Sequence, residues 1–165
     1  MQWKRVVRHL FTDHWSVRRA LPPPAMRAIR DEIAKQEKRH GGELRFAVEA
    51  SLPWPNLWRE EDARSRAVEL FSQLRVWDTE HNSGVLIYLL LADKRVEIVA
   101  DRGIHGKVGA TAWETICGEM QRAFAAKRFE AGVSLGVAAI SDLLAVHYPP
   151  VEARPNELSN EPVVL

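Results

Sequence analysis

The sequence predicts an α/β fold, a three-layer α/β/α sandwich with a small mixed sheet flanked by helices. Residues 85–91 and 95–100 are apolar runs joined by Ala92-Asp93-Lys94, which is the pattern of a buried β-hairpin. Residues 43–52 form a third run that alternates around Leu44, Phe46 and Val48. Segments with helical apolar spacing precede and follow these runs, so we expect helices on both faces of the sheet.

The first segment, residues 2–11, has the spacing of a short basic amphipathic helix. Its apolar residues are Trp3, Val6, Val7, Leu10 and Phe11, and basic residues fill the other side. One interpretation is a segment that contacts a membrane surface or a partner, and the other is a helix packed on its own domain. A helix this short binds a bilayer weakly by itself, which favours packing. We assign residues 1–20 to this N-terminal segment and residues 21–148 to the α/β domain.

Within the domain, a helix at 25–39 follows three prolines, which are tolerated in a first turn but not beyond it. The first strand at 43–52 ends at Pro53 and Pro55, and a helix at 60–75 leads to the hairpin. A strand–helix–strand connection makes the two strands parallel with a right-handed crossover. The hairpin therefore adds an antiparallel third strand.

Two further helices are expected after the hairpin, one around residues 113–124 and one at 129–147. The second is apolar over much of its surface, which indicates that it is well covered. Residues 149–165 are rich in Pro, Asn and Glu, and we expect a flexible tail there.

Composition excludes several function classes. The 165 residues contain 23 basic and 22 acidic residues, so the basic excess of a nucleic-acid binder is missing. The single cysteine, Cys117, excludes a disulfide scaffold and a cysteine-based zinc site. Residues 2–15 lack the apolar core of a signal peptide, and we identify no run of about 18–20 apolar residues. We therefore expect a cytoplasmic location, with a peripheral position at the inner membrane as an extension of it.

Polar side chains collect at one end of the predicted sheet, where the first two strands begin and the third ends. We predict Asp78, Asn82 and Asp101 as ligands of calcium or magnesium, because carboxylate and amide oxygens suit hard cations. Arg75 and Arg102 flank this end and are candidates for binding an anion. The secondary candidates at the same end are Glu43, Glu80, His81 and His105.

Asp101 is the strongest of these candidates, because it ends an apolar strand just before Gly103. An acid at the edge of the core has a tunable pKa and ligand strength. The alternative for each acid is an ordinary loop carboxylate that is solvated or caps a helix. A serine or threonine nucleophile is not indicated, since Thr79 lies between acids and no GxSxG motif is present.

Two segments together resemble the TPM domain, the module of thylakoid-lumen acid-phosphatase-like proteins and their bacterial relatives. The hairpin matches at Asn82, Gly84, residues 93–95 and Gly103. The later segment MQRAFAAKRFEAGVSLGVAAISDLL is similar to the closing part of the family, at Phe124, Phe129, Gly132 and Gly136. The resemblance covers about residues 25–147.

This resemblance implies an α/β/α sandwich, divalent-cation binding and the weak acid-phosphatase activity of plant relatives. Of the candidate site residues, Asn82 and Asp101 match the family pattern. Many relatives have a paired acid before the first helix, where this chain has Leu21-Pro22-Pro23-Pro24. Many also have a signal peptide and a C-terminal membrane helix, neither of which is evident here. Bacterial relatives often occur with membrane-associated LemA-type proteins, which by analogy suggests a partner at the inner membrane.

Two hypotheses about function follow. The first is an accessory or interaction module that binds a divalent cation at one end of the sheet and contacts a membrane-associated protein, with residues 2–11 reaching the membrane surface. The second is a weak metal-dependent acid phosphatase, in which a cation at Asp78 and Asp101 activates water while Arg75 or Arg102 holds the phosphate. The missing nucleophile motif and the basic amphipathic start favour the module. Whether the chain is an enzyme stays open at this point.

Overall fold

A computed structural model of the chain describes residues 3–150 and 155–165. Its elements are, in order, α1 (Trp3–Phe11), α2 (His14–Ala20), α3 (Pro23–Glu37), β1 (Glu43–Glu49), α4 (Trp54–Trp58), α5 (Ala63–Gln73), β2 (Gly84–Leu90), β3 (Arg95–Ala100), α6 (Arg102–Val108), α7 (Ala110–Ala125), α8 (Phe129–His147) and β4 (Val163–Val164).

The sheet has the strand order β3-β2-β1-β4. β1 and β2 are parallel, with Glu43 opposite Gly84, and β2 and β3 are antiparallel, with Val85 opposite Ala100. The predicted parallel pair and hairpin are therefore confirmed, as is the predicted α/β fold class. All seven residues of β2 are buried, as expected for a central strand with helices over both faces.

Side chains of β1 alternate between two cores, one on each face of the sheet. Leu44, Phe46 and Val48 point into a core shared with α3, α7 and α8. Ala47 points into a second core, which α5 fills with Ala67 and Leu70 and to which α1 and α4 contribute Val6 and Leu57. This period-two alternation places helices in two layers around the sheet.

Helices α7 and α8 approach each other closely at two glycines of α8. A Cβ atom at Gly132 would meet the Phe124 ring, and one at Gly136 would meet the Met120 sulfur. Within the described part of the chain, α8 is the one helix long and apolar enough to cross a membrane. Its residues Val133 and Val137 are fully buried in the first core.

Three short helices were not predicted from the sequence. Helix α2 begins after Asp13, whose carboxylate accepts a hydrogen bond from the Ser16 N–H at 3.0 Å. Helix α4 begins at the proline-rich connection, and α6 follows β3 directly with Asp101 as its N-cap. Helices of this length depend on caps and tertiary packing rather than on propensity.

The end of the chain also differs from the expected flexible tail, of which residues 149–150 and 155–165 are described. Val163–Val164 adds a parallel strand beside β1, and Leu158 is buried in the second core. The Glu43 carboxylate accepts hydrogen bonds from the backbone N–H groups of Glu157 and Leu158, at 3.3 and 3.1 Å. The polar composition of the segment does not predict this docking, because one buried leucine and backbone pairing along the sheet edge are enough to hold the segment in place.

Candidate functional site

Asp101 lies at the predicted end of the sheet, between β3 and α6. Its Oδ1 accepts a hydrogen bond from the Arg102 N–H at 2.6 Å, so this oxygen caps α6. The side chain is buried, and Oδ2 has no hydrogen-bond partner among the described residues. Buried polar atoms normally have partners, so Oδ2 is an exception at this end of the sheet.

The other two predicted metal ligands are more open to solvent. Asp78 is exposed in the loop between α5 and β2. Asn82 is exposed as well, with φ of 51°, and its backbone carbonyl accepts the Ile104 N–H at 3.2 Å. Asn82 is therefore joined to the start of α6 beside Asp101, whereas Asp78 is near them only by its place at the same end of the sheet.

The predicted arginines and secondary candidates divide into exposed and structural residues. Arg75 and Arg102 are exposed, and so are Glu80, His81 and His105. Glu43 is buried, and its carboxylate binds the tail. The Glu80 backbone N–H likewise donates to the Glu157 carboxylate at 2.8 Å. Glu43 and the Glu80 backbone thus take part in docking the tail.

A cleft of about 510 Å³ opens at this end of the sheet, with Gly41, His81, Asn82, Gly103, Lys107 and Tyr148 among its lining residues. Lys107 Nζ lies 4.2 Å from the centre of the Tyr148 ring. Burial, and to a smaller extent the charge of Asp101, raise the pKa of Tyr148. Within residues 3–150 and 155–165, no three His, Cys, Asp or Glu side chains are grouped closely enough to hold a metal ion.

A second polar cluster, which we did not predict, fixes α1 to the turn between β2 and β3. The Asp93 carboxylate accepts hydrogen bonds from Arg5 at 2.8 and 2.9 Å and from Arg8 at 2.8 Å, and it lies 3.1 Å from His9 Nε2. The backbone N–H of Leu52 donates to His9 Nδ1 at 3.0 Å. Since Nδ1 accepts this bond, the proton of the neutral ring is on Nε2 and points to Asp93.

This cluster has a clear electrostatic effect on Asp93. Burial alone would raise the pKa of Asp93, but hydrogen bonds from His9 and Arg5 and the charge of Arg5 outweigh it and hold the pKa well below its usual range. The signal in the sequence was the spacing of Arg5, Arg8 and His9, which puts three basic side chains on one side of a helix. What the sequence could not show is which acid they meet.

Because the basic side of α1 faces the domain, its apolar side faces solvent. We call Trp3, Val7, Leu10 and Phe11 the α1 face. Their exposed fractions are 70, 46, 63 and 82% respectively. The prediction that α1 packs on its own domain accordingly holds for Val6, Arg5 and His9, whereas the α1 face is largely exposed. Apolar surface that is held outward usually marks a site of interaction.

Further exposed aromatic residues lie near the α1 face. Trp54 and Trp58 of α4 are 52 and 61% exposed, with ring centres 5.7 Å apart. Leu10 and Trp54 line one cleft of about 420 Å³, together with Leu165. Trp77 is half exposed as well.

A cluster of buried polar side chains lies near the cleft of Leu10 and Trp54, and its members are hydrogen-bonded to one another. Glu49, at the end of β1, accepts hydrogen bonds from Arg66 at 2.8 and 3.0 Å and from the Tyr88 hydroxyl at 2.6 Å. Burial and the charge of Glu49 raise the pKa of Tyr88 well above its usual range. Every polar group of this triad has a partner, so we assign it to the joining of α5 to β1 and β2.

The sequence profile of the TPM domain matches residues 18–143. The chain belongs to the TPM domain family. Two solved structures are similar to this TPM domain. The NMR structure of the BA42 protein from the psychrophilic bacterium Bizionia argentinensis has 29% identity and a TM-score of 0.76, covering 86% of this chain and 93% of that one. The solution structure of the N-terminal domain of a protein from P. gingivalis has 19% identity and a TM-score of 0.61, covering 79% and 82%.

None of the curated proteins matches this TPM domain. The family assignment confirms the resemblance stated from the hairpin and the closing helices. The structure explains why these positions of the family pattern are glycines. Gly84 and Gly103 lie against backbone carbonyls, and Gly132 and Gly136 lie against α7, so a side chain would collide. The α1 face lies outside the matched residues 18–143.

Proposed function

We propose that this TPM domain is an accessory interaction module that attaches through the α1 face to a membrane-associated surface on the cytoplasmic side of the inner membrane. One observation carries the proposal: four apolar side chains of α1 are held outward by an ionic cluster on the opposite side of the helix. A free amphipathic helix would turn its apolar side toward the domain. The Asp93 cluster prevents this rotation, so the exposed orientation is built into the fold.

Co-sedimentation with washed inner-membrane vesicles tests the proposal. We expect the wild-type protein to pellet with the vesicles and Leu10→Ser/Phe11→Ser to stay in the supernatant. Val146→Ser is the matched control, because Val146 is 75% exposed on α8 in the other helix layer. Equal pelleting of the wild type and the α1 variant, or no pelleting of the wild type, would contradict this function.

A second candidate function is divalent-cation binding at Asp101. It is supported by the buried Oδ2 atom, which has no hydrogen-bond partner in the described part of the chain. One or two carboxylates plus water suffice for Mg²⁺, so Asp101 fits as an anchoring ligand. Asn82 and Asp78 would supply further oxygens. A bound cation would neutralise phosphate charge and lower the pKa of a water molecule. The exposed Arg75 and Arg102 would then bind the anion, as a weak acid phosphatase requires.

Calcium and magnesium titrations followed by heteronuclear NMR test this second candidate. We expect shifts confined to Asp78, Asn82, Asp101 and their neighbours, and loss of those shifts in Asp101→Asn. Asp142→Asn is a suitable control, because Asp142 is exposed on α8 and its partner is Arg39. If metal at millimolar concentration leaves these signals unmoved, the cation site is excluded. If Asp101→Asn keeps full phosphatase activity, a hydrolytic role for Asp101 is excluded.

A further inference from the structure

We propose that the surface bound by the α1 face is an anionic lipid bilayer itself, rather than a protein embedded in it. This inference rests on the proposed function and names its binding partner. Three observations on the described residues support it: the kind of aromatic residue that surrounds the α1 face, the sign of the charges beside it, and the rigid attachment of the helix to the domain.

The aromatic residues are tryptophans, which prefer the boundary between lipid headgroups and acyl chains. Trp3 lies on the α1 face, and Trp54 shares a cleft with Leu10. Trp58 stacks obliquely beside Trp54, and Trp15 is 66% exposed only four residues after the end of α1. An indole ring has an apolar body and a polar N–H, so it gains from insertion at this depth. Insertion of several such rings would strengthen the weak membrane binding that a helix as short as α1 has by itself.

The N-terminal segment, of which the α1 face is part, carries charge of the sign that an anionic surface attracts. Residues 3–21 contain five basic residues and a single carboxylate, Asp13, although the whole chain has a net charge of only +1. Arg5 and Arg8 are bound by Asp93. Lys4, Arg18 and Arg19 are exposed, and the Arg18 guanidinium lies 5.5 Å from the centre of the Trp15 ring. Basic residues beside an inserted apolar face strengthen binding to anionic lipid.

The Asp93 cluster determines how the protein would lie on the bilayer. It fixes the basic side of α1 against the domain, so the helix axis would lie parallel to the membrane with the α1 face inserted. Nine residues of helix span about 14 Å, and the TPM domain would sit on the aqueous side. Because the helix is already folded and oriented, little conformational entropy is lost on binding.

Flotation of the full-length protein with protein-free vesicles is the test. One set contains phosphatidylcholine alone and the other also contains phosphatidylglycerol. We expect floating protein and a blue shift of tryptophan emission with the anionic vesicles, and at least about tenfold weaker binding with phosphatidylcholine. Leu10→Ser/Phe11→Ser should weaken binding to anionic vesicles by at least about tenfold. Arg18→Gln/Arg19→Gln should weaken that binding as well, whereas Val146→Ser and Lys38→Gln should not.

Each outcome of the flotation test separates the lipid proposal from the broader one. Binding to inner-membrane vesicles without binding to protein-free anionic vesicles would overturn the lipid proposal and leave a membrane protein as the partner. Equal binding to both lipid compositions would overturn the part played by Arg18 and Arg19. Failure to bind either membranes or lipid would overturn the proposed function together with this inference. Circular dichroism of the α1 variants separates loss of binding from loss of fold.

Discussion

At the scale of single residues, Gly84 shows how closely two backbone segments pass at the candidate cation site. A Cβ at this position would collide with the backbone carbonyl oxygen of Val76. Gly84 also begins β2 and pairs with Glu43, so the collision cannot be relieved by a side-chain movement. The close approach brings the loop before β2, which contains Asp78 and Asn82, against the start of the strand.

We predict that Gly84→Ala destabilises the protein by about 3 kcal/mol, which is the upper range for overpacking in a core. Gly118→Ala is the matched control, because Gly118 is in the middle of α7 and a Cβ there meets nothing within 4 Å. The control should stabilise the protein by about 0.5–1 kcal/mol through helix propensity. Urea unfolding measures both changes. An unchanged urea midpoint for Gly84→Ala would show that the loop moves enough to accommodate the added methyl group.

The triad of Glu49, Arg66 and Tyr88 gives a second prediction at this scale. Tyr88→Phe removes one buried hydrogen bond and should cost about 1–2 kcal/mol. Glu49→Ala leaves the Arg66 guanidinium without its main partner and should cost about 3–5 kcal/mol. Chemical denaturation measures both free energies. If the two variants lose equal stability, the ion pair contributes nothing beyond the tyrosine hydrogen bond.

At the scale of elements, α1 is held by charge, so its attachment should depend on pH. The pKa of Asp93 is lowered in the folded protein, whereas an unfolded aspartate titrates near pH 3.9. Because the folded pKa is the lower of the two, the stabilisation is fully present above the unfolded pKa and is lost as the pH falls from there through the folded pKa. The contribution of Asp93 to the attachment of α1 should therefore weaken in acid below about pH 4.

Asp93→Asn tests this attachment directly at neutral pH. We expect faster amide hydrogen exchange along α1 and unchanged exchange in β2, because the loss is local. Asp31→Asn is the control, since Asp31 is exposed on α3 and pairs with Arg30. Protection of α1 equal to that of the wild type in Asp93→Asn would show that Val6 alone holds the helix.

The elements also show what a sequence can and cannot predict. The hairpin was predictable within one residue at each end, because β2 is a continuous apolar run and the turn is polar. Helices α2 and α6 were missed although Asp13 and Asp101 are good N-caps, because each helix contributes just one residue, Val17 or Ile104, to the core. Such short helices leave almost no periodic signal. Asp101 caps one of these helices, which is the alternative role considered for it beside that of a metal ligand.

At the scale of the whole molecule, the tail completes both the sheet and the second core. Leu158→Ala should destabilise the protein by about 2–3 kcal/mol, since Leu158 is buried in that core. Limited proteolysis should also cut residues 155–165 faster in this variant. Val146→Ala is the control, because Val146 is largely exposed. Equal cleavage in Leu158→Ala and wild type would mean that backbone pairing beside β1 suffices to hold the tail.

The site was predictable to a smaller extent than the fold. Strand direction correctly grouped Asn82 and Asp101 at one end of the sheet, because parallel and antiparallel partners fix which termini meet. Direction alone does not tell whether a side chain is buried, and Glu43 is buried under the tail while Asp78 is exposed. The outward orientation of α1 could not be predicted from the sequence either. It depends on Asp93, a residue more than eighty positions away that looks like an ordinary turn aspartate.

The pairing of β4 with β1 has a consequence for the order in which the chain folds during synthesis. Val163 pairs with Ala47, so one edge of the sheet stays open until residue 163 has left the ribosome. An open strand edge can template pairing with another chain, and long-range pairings form slowly. Nascent or prematurely terminated chains would expose this edge for as long as the last strand is missing. Such chains would be the form of this protein most prone to aggregate and most dependent on chaperones.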